Sequence, residues 1–197
     1  MEIMGRWEPD SRGRLQIAAL ALYSERGFDR TTAAEIAARA GVTERTFFRY
    51  FTDKREVLFG DSQILQEQIV SGVAAAPAEH TPLEAVACGL AAAATLLGEA
   101  RRDLVAQRQA VIAANPELRE RELAKLAHFA AAVAGTLRQR GVSELQATLV
   151  AEAGMSVLGA AVERWADGNE DRSLAVIMKD SMAELRAVTA DSGANVR

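Results

Sequence analysis

The chain has 197 residues, of which 49% are hydrophobic and 25% are charged, a balance typical of a globular protein with an adequate core. Its net charge of −4 excludes a uniformly basic nucleic-acid binder, although a local basic patch is compatible with that total. A single cysteine, Cys88, excludes an internal disulfide and predicts a protein of the reducing cytoplasm.

The first part of the chain predicts an arm followed by a helix. Residues 1–8 lack hydrophobic periodicity and predict a mobile arm. From residue 11 to about residue 26, apolar side chains recur at helical spacing. Gly27 then supplies the glycine that commonly ends a helix, so we expect one helix before the next segment begins.

Residues 31–54 predict two short helices joined by a tight turn. Thr32, with a glutamate three residues later, has the pattern of a capping box, which satisfies free N–H groups at the start of a helix. Gly41 permits the turn, and Thr43 is predicted to cap a second helix over residues 44–51. This arrangement is that of a helix-turn-helix, whose second helix enters the major groove of DNA.

The second helix of this hairpin carries chemistry suited to DNA. Phe47 and Phe51 lie four residues apart and predict an inward anchor. The side chains left on the outer face, or able to reach phosphates through hydroxyl or ammonium groups, are Thr43, Glu44, Arg45, Thr46, Phe48, Arg49, Tyr50 and Lys54. Residues 39–55 include five basic and two acidic residues, so this segment is locally basic.

The stretches that carry the hairpin are ALYSERGF, TTAAEIAARAGV and TERTFFRYFTDKREVL. Over roughly residues 14–58 they resemble the DNA-binding domain of the TetR family of bacterial transcriptional regulators. By this resemblance the base-facing positions are Glu44, Arg45 and Phe48, and the phosphate-contact positions are Thr32, Thr43, Thr46, Tyr50 and Lys54. Phe48 departs from the tyrosine often found there, because it can contact a thymine methyl group but cannot donate a hydrogen bond. The alternative is an ordinary helical hairpin with a charged face.

The rest of the chain predicts a body made only of helices. They cover residues 54–73, 82–97, 101–113, 116–140, 144–167 and 171–188, with caps at Thr81, Asn115 and Ser143. The expected fold is therefore all-α, with about nine helices and an N-terminal three-helix head that contains the helix-turn-helix. Residues 1–55 would form this DNA-binding head, residues 56–190 a helical effector-binding and dimerisation domain, and residues 191–197 a flexible tail.

The last two predicted helices combine small residues on one with aliphatic residues on the other. The first carries Leu145, Leu149, Ala153, Ser156, Val157 and Ala160, and the second carries Leu174, Ile177, Met178, Leu185 and Val188. Such surfaces suit close helix packing. In the TetR family this pair usually forms the dimer interface, which implies a homodimer through the last two helices, with two heads for two half-sites. The alternative is that both stripes face their own core.

The body also predicts a pocket for a small-molecule effector. The stretches NPELRERELAKLAHFAAAVAGTLRQRG and VLGAAVERWADG resemble the C-terminal domain of a TetR subgroup that includes regulators of the mycofactocin system, some of which respond to acyl-CoA esters. That resemblance implies an apolar or acyl-type effector. The candidate ligand-binding residues are Arg108, His128, Phe129, Met155 and Trp165. Surface salt bridges for the arginine and core packing for the others are the alternatives.

Signatures of catalysis are missing: the chain has no G-x-S-x-G elbow, P-loop or G-x-G-x-x-G fingerprint, and its two histidines and one cysteine predict no metal site. No cofactor is expected. Neither a signal peptide nor a membrane span is expected, because the sequence shows no N-terminal apolar run preceded by positive charge and no uncharged run of about 18 apolar residues. The sequence thus predicts a dimeric repressor that binds a palindromic operator in double-stranded DNA and is released by its effector. The alternative is a ligand-independent regulator or activator.

Overall fold

The computed structural model describes residues 11–190, and within them the secondary structure is entirely helical, as predicted. The α-helices are α1 (Ser11–Arg26), α2 (Ala33–Arg39), α3 (Glu44–Tyr50), α4 (Ser62–Ala74), α5 (Pro82–Leu97), α6 (Arg102–Ala114), α7 (Pro116–Gln139), α8 (Glu144–Ala166) and α9 (Leu174–Ala190). A 3-10 helix, Glu56–Phe59, which we name the connecting turn, joins the head (α1–α3) to the body (α4–α9). The predicted arm over residues 1–8 and the predicted tail at 191–197 lie outside the described residues.

Two of the predicted capping boxes are confirmed. The side chains of Thr32 and Thr81 each accept a hydrogen bond from the backbone N–H of the glutamate three residues later. In return, the carboxylate of that glutamate accepts a hydrogen bond from the backbone N–H of the threonine. Two further predicted side-chain caps, Ser143 and Asn115, are wrong. Ser143 precedes α8 without a side-chain cap, and the Asn115 amide instead donates to the Val111 carbonyl at 2.6 Å, where it closes the end of α6.

The helix predicted over residues 54–73 is not continuous. The chain forms the connecting turn and then begins α4 only at Ser62. Val57, Leu58 and Phe59 are all buried. Three consecutive residues cover about 200° of an α-helix, so a straight surface helix could not turn all of them inward. Gly60 passes close to α1, because a Cβ there would lie 2.8 Å from the Gln16 amide nitrogen.

Two apolar clusters form the core. One lies in the head and the other is built from α4, α5, α7, α8 and α9 around the fully buried Trp165. The head cluster continues past residue 55 into the connecting turn, and it includes Val111 and Ile112 of α6 and Leu118 of α7. The head therefore rests on the junction of α6 and α7, and its position depends on the body.

The α8–α9 loop is fastened by one glutamate. The Glu170 carboxylate accepts hydrogen bonds from Arg172 Nη2 at 2.7 Å and from Arg164 Nε at 2.8 Å. Its backbone carbonyl and the carbonyl of Trp165 both contact the guanidinium of Arg102. Hydrogen bonds from the Arg172 side chain and backbone hold the pKa of Glu170 far below its ordinary value.

This arrangement predicts an acid-sensitive contribution to stability. A carboxyl group whose pKa is depressed in the folded state stabilises the fold above its unfolded pKa of about 4.3, and the contribution is lost as pH falls below that value. We expect Glu170→Gln to lower the melting temperature at pH 7, and the difference from wild type to shrink steadily between about pH 5 and pH 3. Thermal unfolding of both proteins across this range tests it; a difference independent of pH would contradict it.

Candidate nucleic-acid interface and cavity

The helix α3 is anchored from its inner side. Phe47 is fully buried and Phe51 is 4% exposed, with ring centroids 5.7 Å apart, which confirms the predicted inward pair. Gly41 adopts φ +69°, a conformation that other residues avoid, and Val42 packs against the head cluster after it. The turn and the two aromatic rings together fix the direction of α3 relative to α2.

The opposite side of α3 faces solvent. The exposed residues on or beside it are Thr32, Thr43, Glu44, Arg45, Phe48, Arg49 and Tyr50, and Thr46 is half-buried. Phe48 is 52% exposed although it is large and apolar. Its ring therefore lies among polar and cationic side chains on the solvent side of α3. Eight of the nine predicted DNA contacts thus lie where another molecule can reach them.

Several of these side chains are oriented within the head. Thr43 caps α3 as predicted, since its hydroxyl accepts from the Thr46 N–H at 3.2 Å. The Arg49 guanidinium donates to the Tyr50 hydroxyl at 3.1 Å and lies 4.9 Å from the centre of the Tyr50 ring. Arg49 and Tyr50 therefore present one cationic, hydrogen-bonding unit, which suits a phosphate.

The ninth predicted contact, Lys54, has a different environment. Its ammonium donates to the carbonyl oxygens of Phe28, Asp29 and Thr31 at 2.8, 3.2 and 2.9 Å, and it lies 4.4 Å from the centre of the Phe28 ring. An ammonium has three donors, so all of them are engaged. The geometry assigns Lys54 to the inside of the head, where it fixes the segment before α2, and it does not support the predicted phosphate contact.

Ion pairs connect the head to α7 of the body. Residues on the head side are Asp53, Arg55 and Glu56, and those on α7 are Glu117, Arg121 and Lys125. Arg121 lies 3.3 Å from Asp53 and 3.2 Å from Glu56, and Lys125 lies 3.1 Å from Glu56. Burial raises the pKa of Asp53, but hydrogen bonds from the N–H groups of Glu56 and Arg55 outweigh it, and the pKa is lowered overall.

A cavity of about 430 Å³ lies directly behind the connecting turn. Helices α6, α7 and α8 form most of its walls, with contributions from α1 and the adjoining ends of α4 and α5. The lining is mainly aliphatic and includes Leu20, Leu58, Val105, Ile112, Leu126 and Leu158. Its charged members are Asp61, Arg101, Arg108, Arg119, Glu122, Lys125 and Glu163. An apolar interior with a few polar groups is the usual composition of a small-molecule site.

Two of the five predicted ligand residues line this cavity, namely Arg108 and Phe129. The other three do not. Met155 and Trp165 are 3% and 0% exposed inside the body core, where they fill space between helices, and His128 is exposed on the outer side of α7. The alternative given for His128, packing in the core, is wrong as well. The sequence did not predict that Leu58 and Phe59 line the cavity, because both residues were expected on one continuous helix.

A second, more open cleft of about 680 Å³ lies between the end of α1 and the end of α6. It is a surface depression that includes Tyr23, Arg30 and Asn115. The Tyr23 hydroxyl is already bound, since it donates to the Lys54 carbonyl at 2.6 Å, and burial raises its pKa well above the ordinary value. The less open and more apolar cavity behind the connecting turn is therefore the better candidate for a small apolar molecule.

The outer surface of α8 and α9 carries large apolar side chains that are uncovered in the single chain. Leu145 and Leu149 are 71% and 61% exposed on α8, and Ser156 and Ala160 are exposed further along it. Val176 and Val188 are exposed on α9. Other members of the two predicted stripes are buried in the core of their own chain, namely Val157, Leu174, Ile177 and Met178. Each stripe therefore consists partly of core residues and partly of exposed residues.

Within residues 11–190 no group of three or more His, Cys, Asp or Glu side chains is arranged to hold a metal ion. The Cys88 sulfur lies 3.7 Å from Nδ1 of His80, and these two form no larger cluster in this part of the chain. By length and composition alone α8 could cross a membrane, and the bent pair α5–α6 could be a second span. The inner side of α8 is buried against α5, α6, α7 and α9, as in a core helix of a globular protein.

Comparison with known proteins adds two family matches. Residues 17–59 match the family described as "Bacterial regulatory proteins, tetR family", and residues 80–190, more than half of the chain, match the family described as "MftR C-terminal domain". The first match ends at Phe59, at the end of the connecting turn. The second covers α5 to α9 and therefore most of the cavity wall.

Individual relatives agree with these families. The chain is 34% identical over 76 residues to the HTH-type transcriptional regulator TcmR of Streptomyces glaucescens, and 36% identical over 64 residues to the HTH-type transcriptional activator FasR of Mycolicibacterium smegmatis. These matches cover 39% and 32% of this chain and only 34% and 29% of the relatives. The crystal structure of Thermus thermophilus FadR, a TetR-family transcriptional repressor in complex with lauroyl-CoA, is 26% identical with a TM-score of 0.54, and the match covers 94% and 96% of the two chains.

Proposed function

Because the chain belongs to the TetR family of bacterial transcriptional regulators, we propose that it represses transcription in the cytoplasm as a homodimer bound to a palindromic DNA operator. A small apolar or acyl-type effector releases it. Two heads related by a two-fold axis match the symmetry of a palindrome, with half-sites one helical turn or a multiple apart. The exposed apolar side chains of α8 and α9 support dimerisation, because Leu145 and Leu149 have no partner within the described chain.

In this proposal the exposed side of α3 reads the operator. Glu44, Arg45 and Phe48 contact base edges, with Arg45 suited to guanine and Phe48 to a thymine methyl group. The phosphate contacts are made by Thr32, Thr43, Thr46, Arg49 and Tyr50. Lys54 positions the backbone from which α2 begins, so its contribution to binding is indirect.

The main observation in favour of an effector that controls DNA binding is that two residues lining the cavity also belong to the head cluster. Leu58 and Phe59 line the cavity and pack into the head cluster at the same time. Its volume of about 430 Å³ is in the usual range of roughly 300–1,000 Å³ for small-molecule sites. Thermus thermophilus FadR, which is similar over almost its whole length, was crystallised with lauroyl-CoA, which supports an acyl-type effector here.

The test is selection of bound sequences from a random pool of double-stranded DNA, with the mass of the protein and of its complexes measured in solution. We expect enrichment of a palindrome bound by a dimer. The recovered operator then allows release to be measured with lauroyl-CoA and with dodecanoate. No enriched sequence, or binding by monomers only, would overturn the proposal.

The second candidate is an activator, or a regulator that needs no effector. It is favoured by one observation, the local match to FasR, which is described as a transcriptional activator. A reporter gene placed behind the recovered operator separates the two candidates. Deletion of the regulator should raise expression from this reporter if the protein is a repressor and lower it if the protein is an activator.

Arg45→Ala is expected to lower the affinity for the selected operator by about 1–3 kcal/mol per half-site and to relax the base preference at one position, because a bidentate contact to guanine is lost. Fluorescence anisotropy with the operator and with single-base variants measures both effects. Arg138→Ala, which removes an exposed arginine from α7, is the control and should leave both unchanged. Equal affinity and equal preference in Arg45→Ala would show that Arg45 does not read a base.

A further inference from the structure

We propose that Arg108 recognises the polar end of the effector and transmits its binding to the head, an inference that rests on the proposed function. Arg108 lies on α6 and lines the cavity. Its Nε donates to the Leu58 carbonyl of the connecting turn at 2.7 Å, and its Nη1 donates to the Glu122 carboxylate at 2.8 Å. The same side chain therefore contacts both the effector space and the segment that leads into the head.

The surroundings of Arg108 show how closely it is tied to the connecting turn. Its guanidinium carbon lies 5.0 Å from the centre of the Phe59 ring, and Lys125 lies 5.7 Å from the same ring. Leu58 and Phe59 are 6% and 3% exposed, so water cannot readily replace the arginine at the Leu58 carbonyl. A carbonyl near the end of a helix has lost its regular intrahelical partner, and Arg108 supplies a donor to it.

The connecting turn is held from the head side as well. The Arg12 guanidinium of α1 donates to the Gly60 carbonyl, and Val57 is buried in the head cluster. Arg108 is thus one of the contacts that hold the connecting turn to the body, beside the ion pairs of Glu56 with Arg121 and Lys125. When this hydrogen bond is broken, the connecting turn is held less firmly to the body, and the orientation of the head on α6 and α7 can change.

The chemistry of Arg108 defines the effector that can use this connection. A guanidinium only donates hydrogen bonds, so the effector must present an acceptor oxygen. The aliphatic walls require a hydrocarbon chain next to it. A chain ending in a carboxylate or a thioester carbonyl meets both conditions, and a fatty acid and its acyl thioester are the two sources of it. Because Nη1 is engaged by Glu122, an acceptor that pairs with the guanidinium along its other edge uses Nε, and it then competes with the Leu58 carbonyl for that donor.

The coupling follows from this competition. An effector that takes the guanidinium binds more tightly to the state in which Leu58 is released, and that difference in affinity shifts the two-state equilibrium. By reciprocity, DNA that holds the heads in the fastened state weakens effector binding by the same factor. For typical allosteric proteins this factor is about 5- to 150-fold, and we expect the same range here.

The experiment compares wild type with Arg108→Met, which keeps an unbranched side chain as far as about the position of Nε but removes all of the donors. Arg108→Lys is the second variant, because one ammonium cannot reproduce the two directed contacts, and Arg138→Met is the matched control on the exposed side of α7. The probes are dodecanoate, lauroyl-CoA and dodecylammonium, which has the same chain length but only donors at its head. For each protein and each probe we measure three quantities: binding of the probe to the DNA-free protein, hydrogen exchange of residues 56–61, and affinity for the selected operator.

For wild type and Arg138→Met we expect that dodecanoate or lauroyl-CoA speeds exchange at residues 56–61 and lowers operator affinity about 5- to 150-fold, while dodecylammonium does neither. In Arg108→Met exchange should already be fast without a probe, and the ratio of operator affinities with and without probe should fall to about one. Activity of only one of the two acyl probes would identify the source of the acceptor oxygen.

Two results would overturn the inference. One is slow exchange at residues 56–61 in unliganded Arg108→Met, and the other is an unchanged affinity ratio in both Arg108 variants although they bind the acyl probe. If wild type binds neither acyl probe, the effector class under the proposed function is wrong. The hydrogen exchange rates of the unliganded proteins do not depend on the effector class. Fast exchange in Arg108→Met supports the role of Arg108 in holding the connecting turn, and slow exchange rejects it.

Discussion

The double substitution Leu145→Glu with Leu149→Glu is expected to convert the dimer to monomers and to lower operator affinity by at least about 100-fold, because a second linked binding module typically adds a factor of 10²–10⁴. Both leucines lie on the solvent side of α8, one helical turn apart, and they contribute nothing to the core of their own chain. In a dimer they would be covered by the partner. Burying unpaired carboxylates there is strongly unfavourable, and a dimer through this face would contain four of them.

Molar mass in solution and operator affinity, measured on the same samples, test this prediction. Circular dichroism should be unchanged, since both positions are exposed in the single chain. The control is Ala127→Glu with Ala131→Glu, which adds two carboxylates with the same spacing on the exposed side of α7. Retention of the dimeric mass by the Leu145 and Leu149 variant would show that this face of α8 is not the interface.

Gly89→Ala is expected to lower the free energy of unfolding by about 1–3 kcal/mol, the usual effect of overpacking a core. The contact of α4 with α5 is built on two glycines. A Cβ on Gly89 would lie 2.6 Å from the Ile69 carbonyl oxygen and 2.7 Å from Val73 Cγ2, and a Cβ on Gly72 would lie 2.8 Å from Gly89 Cα. The nearest atoms belong to backbone, so one helix must move to make room.

Gly135→Ala is the matched control for this change. Gly135 lies in the interior of α7, and its nearest neighbour to an added Cβ is the Arg138 guanidinium at an ordinary 3.7 Å. Because alanine favours a helix over glycine by about 0.5–1 kcal/mol, we expect this variant to be more stable than wild type. Urea unfolding of the three proteins gives the comparison. Changes of the same sign and size in the free energy of unfolding of both variants would show that the α4–α5 contact tolerates a methyl group.

The contact between α4 and α5 also affects how effector binding in the cavity can change the position of the head. The helix α4 begins just after the connecting turn, and its close contact with α5 limits how far it can slide. Head and body meet at a few defined places, namely the Arg108 hydrogen bond, the ion pairs on α7 and the side chains of α6 and α7 that enter the head cluster. A small set of alternative contacts of this kind is what a two-state switch requires.

Elements with local causes could be predicted correctly from the sequence. The starts of α2, α3 and α5 follow from Thr32, Thr43 and Thr81, and the inward direction of Phe47 follows from its spacing to Phe51. Each depends on interactions within about four residues, which a sequence displays directly. The same is true of the exposed side of α3, since fixing its inner face also fixes its outer one.

The partners of the polar side chains, in contrast, depend on how distant helices pack together. Lys54 meets carbonyls more than twenty positions earlier in the chain, Arg108 meets Leu58 fifty positions away, and Glu56 pairs with Arg121 and Lys125 across the junction of head and body. The break after the connecting turn has the same origin, because three successive buried residues pack against α1 and α6. Periodicity shows that a helix has an apolar side, but it does not show whether that side meets the core, a cavity or a second chain, and for Met155, Trp165 and Leu149 this choice depends on distant helices.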